Sequence, residues 1–122
     1  MPNYEVKNMS ESKETREMKR FKLESIVIKG AKVARFELKR GWKWSTDIKP
    51  LAKTEWCEAP HFQYQISGRL HMKLRDGTEF EIRPGDVSSV PPGHDAWVVG
   101  DEPAVGIEWT AEGITRELSK KG

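Results

Sequence analysis

Across residues 23–109 apolar and polar side chains alternate with a period of two, the spacing of half-buried β-strands. Ile26 and Ile28 open the pattern. Ala34, Phe36 and Leu38 follow, interleaved with Arg35, Glu37 and Lys39, and Trp42 and Trp44 flank Lys43. Residues 45–60 read as loop, with Pro50 and Pro60 as breakers. His61–Ser67 reads as a long strand closed by Gly68, after which Leu70, Met72 and Leu74 alternate with Arg69, His71 and Lys73. Asp76-Gly77 before the Phe80/Ile82 pair predicts a hairpin, whose tightest form needs φ > 0 at both central residues. Pro84-Gly85-Asp86 and Pro91-Pro92-Gly93 mark further turns, and the last strands are expected at 97–99 and 105–109, joined by Gly100-Asp101-Glu102-Pro103. About seven or eight short strands without a long amphipathic helix predict an all-β sandwich or barrel. Periodicity alone does not choose between the two.

The ends differ. Lys and Glu dominate residues 11–22, and Met9, Met18 and Phe21 are the sizeable apolar groups after Tyr4. Residues 1–22 are therefore expected to form a polar N-terminal arm or a short surface helix, too poor in apolar groups for a second domain. Residues 111–122 read as a polar tail, which leaves one domain over 23–110, as a chain of 122 residues suggests. The 21 basic and 19 acidic residues are interspersed and net only +2, so the basic stripe that nucleic acid needs is missing. No apolar run approaches the ~18 residues of a membrane span, and the first residues lack the apolar segment of a signal peptide. The single cysteine, Cys57, cannot make an internal disulfide. These features set the expectation of a cytoplasmic protein with neither nucleic-acid nor membrane partners.

The segment Gly85-Asp86-Val87-Ser88-Ser89-Val90-Pro91-Pro92-Gly93 resembles the second motif of the cupins, in which a Gly-Asp turn leads through a short strand to a Pro-Pro-Gly turn. Gly68 fits the glycine that closes the first motif. The runs Arg40-Gly41-Trp42-Lys43-Trp44-Ser45, Thr54 to Cys57, His61, Ser67-Gly68-Arg69-Leu70 and the stretch from Pro91 to Pro103 are similar to small bacterial and archaeal single-domain cupins of largely unassigned function. The resemblance covers about residues 30–109 and implies a double-stranded β-helix, the cupin jelly-roll barrel. It also implies a homodimer, in agreement with the apolar phase of Phe62, Tyr64 and Ile66.

The usual cupin metal site has two histidines one residue apart, a glutamate, and a histidine after the Pro-Pro-Gly turn. Set on that pattern, the glutamate position is His61, the first pair falls near Glu55 and Cys57, and the last histidine is Ala96, with His94 one strand repeat earlier. Any metal site is thus rewired. Imidazole nitrogens at His61 and His94 with a thiolate at Cys57 or a carboxylate at Glu55 would suit a divalent transition metal, with zinc, iron, nickel and manganese all open. Gln63 and Gln65 share the phase of His61 and would line the pocket if the family register holds, whereas hydrophobicity alone would put Phe62, Tyr64 and Ile66 inside. Trp97 and Trp56 border the two motifs as candidate pocket walls, and Asp95 could orient a histidine or merely close a turn. His71, out of phase with Leu70 and Met72, is expected on the surface. Two functions follow from the resemblance: a metal-dependent enzyme acting on a small polar molecule, such as an oxygenase or isomerase, or a non-catalytic ligand-binding or sensory module.

Overall fold

The computed structural model describes residues 4–12 and 14–109. The polar tail expected at 111–122 lies outside them. Among the described residues nine strands form two antiparallel sheets: β1 (Glu14–Met18), β2 (Phe21–Ile28), β3 (Ala31–Leu38), β4 (His61–Ser67), β5 (Arg69–Leu74), β6 (Glu79–Ile82), β7 (Val87–Val90), β8 (His94–Val99) and β9 (Ala104–Trp109). The larger sheet runs β1-β2-β3-β9-β4-β7 and the smaller β6-β5-β8. Phe36 and Leu38 from the first meet Leu70, Met72, Ile82, Ala96 and Val98 from the second in one buried cluster. Burying such side chains is the main driving force that holds the sheets face to face.

The N-terminal segment holds a short surface helix, as one of the two expectations had it, only at Met9–Glu11, and departs from both beyond that turn. Residues 14–18 are a strand paired with β2 in register from Glu14↔Ser25 to Met18↔Phe21, so β2 begins inside the segment read as polar. The cause is tertiary. A strand of charged residues needs no apolar face of its own when its backbone groups are satisfied by a neighbour. Arg20, with φ 63, turns the chain between the two. On β2, Phe21 and Leu23 point inward, so Ile26 and Ile28 lie on the opposite face from the residues that line the interior.

Residues 45–60 are not all loop. Two short helices, α1 (Trp44–Asp47) and α2 (Lys49–Ala52), follow β3, and Pro50 falls in the first turn of α2, where its missing N–H costs nothing. The β5–β6 hairpin forms at Asp76-Gly77, but only Gly77 is left-handed, at φ 93. Asp76 instead accepts the Thr78 N–H on its carboxylate at 2.9 Å, which allows a wider turn. Two glycines make close approaches possible. A Cβ on Gly68 would sit 2.6 Å from the Ala104 Cα, and one on Gly106 would overlap the Phe36 ring and lie 2.7 Å from the Tyr64 carbonyl oxygen.

Candidate metal centre

β4 carries His61, Gln63 and Gln65 to the interior, with Gln63 and Gln65 3% and 0% exposed, while Phe62, Tyr64 and Ile66 are 40% or more exposed. His94 opens β8 and is buried at 2%. Cys57 is pinned beside it by a backbone bridge, in which the Cys57 N–H donates to the His94 carbonyl at 2.8 Å and the Cys57 carbonyl accepts from Gly93 at 2.7 Å. The result brings one donor atom each of Cys57, His61 and His94 within 4.8 Å of one another. The two imidazole rings lie edge to face with centroids 4.9 Å apart.

Each imidazole is held through the same nitrogen. His61 Nδ1 hydrogen-bonds the Glu108 carboxylate, and His94 Nδ1 lies 2.8 Å from the Pro91 carbonyl oxygen. Both Nε2 atoms are left for a ligand, and partners of this kind fix tautomer and ring orientation in metal-ligating histidines. Electrostatics favours the same arrangement. Burial pushes the Cys57 thiol up, but hydrogen bonds with His61 and His94 outweigh it and bring the thiol down to about 6. Burial works against charge on His61 too, yet its bonds to Cys57 and Glu108 raise it to about 9. Both shifts run in the direction of a thiolate–imidazolium pair, with the Glu108 carboxylate against the far side of His61.

The cluster forms one wall of a cavity of about 340 Å³. The remaining wall is largely apolar, built from residues such as Phe21, Phe36, Leu38, Trp44, Leu70 and Met72. Ala96, at the position of the usual last histidine, lies in the same wall as His94. The interior is thus an apolar chamber with a polar patch, in contrast to the polar pocket expected.

Other sequence candidates lie elsewhere. Glu55 is exposed and pairs with Lys49 at 3.4 Å, outside the cluster, because the residues after α2 lead its side chain to the surface. Gln65 is buried but turns to the end of its own strand, donating from Nε2 to the carbonyls of Ser67 at 3.0 Å and Gly68 at 3.2 Å. Asp95 orients no histidine. Its Oδ1 accepts from the backbone of Ser45 at 3.0 Å and Ala96 at 2.8 Å, tying β8 to α1. Trp97 and Trp56 are absent from the cavity wall, which Trp42 and Trp44 supply instead. Trp97 stacks on His71 with centroids 4.7 Å apart, and His71 is half-buried beside it with Nε2 2.8 Å from Glu79.

Glu108 is the functional residue that sequence reasoning missed. Its signal was present: β9 alternates Ala104, Gly106 and Glu108 against Val105, Ile107 and Trp109, and a carboxylate on the phase of two small residues needs a buried partner. Arg16 and Met18 were missed for a different reason, since β1 reaches the cavity wall only through tertiary pairing.

No protein-family model matches this chain, and no curated protein matches it in sequence. Solved structures do. Oxalate decarboxylase from Lactobacillus farciminis, in its formate complex, superposes with TM-score 0.62 at 20% identity over 84% of this chain and 32% of that one. A Bacillus subtilis oxalate decarboxylase variant superposes with TM-score 0.62 at 28% identity over 91% of this chain and 32% of its own. A cupin-like protein from Thermotoga maritima, at 16% identity, matches 87% of this chain and 82% of that one with TM-score 0.57. The chain has the cupin-superfamily fold. It spans about a third of the length of the decarboxylases, of which the Bacillus subtilis enzyme has Mn(II) centres. Among the described residues no helix is long and apolar enough to cross a membrane.

Proposed function

We propose that Cys57, His61 and His94 together hold one divalent transition metal, and that the protein is a metal-dependent enzyme for a small molecule bound in the adjoining cavity. The observation that carries this is the meeting of one donor atom each of Cys57, His61 and His94 within 4.8 Å, with both imidazoles tethered through Nδ1. Three protein ligands leave an open position, as catalytic rather than structural sites do. A thiolate with two imidazoles suits zinc or iron better than manganese, which prefers oxygen donors. Once bound, such an ion supplies Lewis-acid polarisation of a ligand oxygen or, for iron, redox chemistry. Glu108 keeps the His61 ring oriented, and the apolar wall excludes water from the reacting groups.

Metal analysis of the purified protein, and of protein reconstituted separately with zinc, iron(II), nickel and manganese, tests the reading. About one ion per chain, lost in His94→Ala and retained in Glu55→Ala, is the expected result. Content below about a fifth of an ion per chain after every reconstitution would overturn it. Stoichiometric metal with ligand-induced stabilisation but no turnover would leave a sensory or ligand-binding module instead.

A homodimer and a cytoplasmic location belong to the same proposal. Support for the dimer comes from the outer face of the larger sheet, where Phe62, Tyr64, Ile66 and Val87 are exposed. Sedimentation of the native chain against Tyr64→Glu is expected to show a dimer turned monomer.

A further inference from the structure

The cavity wall carries two buried donors without an acceptor among the described residues. Gln63 is 3% exposed and Trp42 5%, yet neither the Gln63 Nε2 nor the Trp42 Nε1 has an acceptor among the described residues. A buried unpaired N–H is costly, and an indole nitrogen can only donate. Both residues line the same chamber as the cysteine–histidine cluster. Gln63 stands next to that cluster: it is two residues beyond His61 on β4 and directly opposite Glu108 on β9. Most of the other wall residues are apolar, and Arg16, exposed on β1, stands at the edge. A volume of about 340 Å³ is at the small end of ligand sites, enough for one compact molecule.

Resting on the metal reading above, we infer that the ligand is a small, mainly apolar monocarboxylate with an aryl or branched-alkyl body. Its oxygens take the N–H groups of Gln63 and Trp42, and its body fills the space between Phe36, Leu38, Leu70 and Met72. The apolar wall argues for one carboxylate rather than two. Oxalate, a dianion with no apolar surface, would leave the hydrophobic wall bare and bring a second charge into it.

The probes are phenylacetate, acetate and oxalate, titrated into zinc-loaded and chelator-treated protein, with the fluorescence of the cavity tryptophans and calorimetry as readouts. Phenylacetate is expected to bind the loaded protein at least ~10-fold more tightly than acetate or oxalate. Gln63→Met and Trp42→Phe are each expected to weaken it about 10-fold while bound zinc stays at one per chain. Gln63→Met conserves volume, so it keeps the test open if Trp42→Phe fails to fold. Stoichiometric zinc with oxalate or acetate binding as tightly as phenylacetate would overturn the ligand class and leave the metal centre standing. Absent zinc with preferential phenylacetate binding would overturn the metal reading and leave the ligand class standing.

Discussion

Strands β3 and β4 flank β9 in one sheet and obey opposite rules. On β3, Ala34, Phe36 and Leu38 are buried and Arg35 and Glu37 face outward, the ordinary arrangement of a half-covered sheet. On β4 the charged-to-polar row of His61, Gln63 and Gln65 is inside, and the apolar row of Phe62, Tyr64 and Ile66 is outside. β9, between them, follows β4 by turning Glu108 inward. The chamber is thus half a normal core and half its inverse. Hydrophobic burial on the β3 side holds the barrel closed, and that stability lets the β4 side carry groups that would otherwise oppose folding. Local rules broken at a site and obeyed elsewhere are what a functional interior demands.

The contrast can be broken most forcefully on β3. Phe36→Ala is expected to cost about 3–5 kcal/mol of stability in denaturant unfolding, because the ring is 5% exposed and fills the space left by Gly106. A loss below about 1 kcal/mol would mean that this side is not the core. On β4 and its partners the largest effects should fall on metal instead of on folding. His94→Ala should lower zinc affinity by more than ~100-fold, and Glu108→Ala by ~10–100-fold, since the latter removes only the group that orients His61. Equal losses for the two would place Glu108 among the ligands.

The inverted face also predicts a gain. Gln63→Met removes a buried amide nitrogen without an acceptor among the described residues and should raise stability by about 1 kcal/mol in the metal-free protein. A loss of that size would show that the amide has a partner in the fold. A subtler difference is expected with pH in metal-free protein. His61, raised from 6.5 to about 9, adds stability that is complete below 6.5 and lost as pH rises through 9. Cys57, lowered from 9.0 to about 6, adds stability that is complete above 9.0 and lost as pH falls through 6. The two share one interaction, so thermal midpoints should peak between about 6 and 9 and fall on either side. Cys57→Ser should remove the acid shoulder and weaken the alkaline one, which the Glu108 bond to His61 still supports; an acid shoulder left unchanged would place the effect elsewhere.

Much of the barrel was legible in the residues because alternation and turn chemistry are local. The phase of Leu70 against His71, the hairpin at Gly77 and the closing Gly68 all follow from which side chains a pleated strand or a left-handed turn accepts. The inward phase of His61 and Gln63 was not legible that way. Hydrophobicity pointed to Phe62 and Tyr64, and only the family resemblance turned the strand over.

What the amino-acid order determined by itself is the set of strands, the points where the chain turns and the supply of imidazole, thiol and carboxylate groups. Tertiary structure alone decided that Cys57 is pinned to His94 by a backbone bridge, that Glu108 braces His61 from 47 residues away, and that β1 carries Arg16 to the wall of the chamber. It also sent Glu55 to the surface and turned Gln65 back to its own strand end. The division has a physical cause. Strand and turn preferences act between neighbours in sequence, whereas the convergence of donor atoms depends on pairing register between distant segments, which no local pattern encodes.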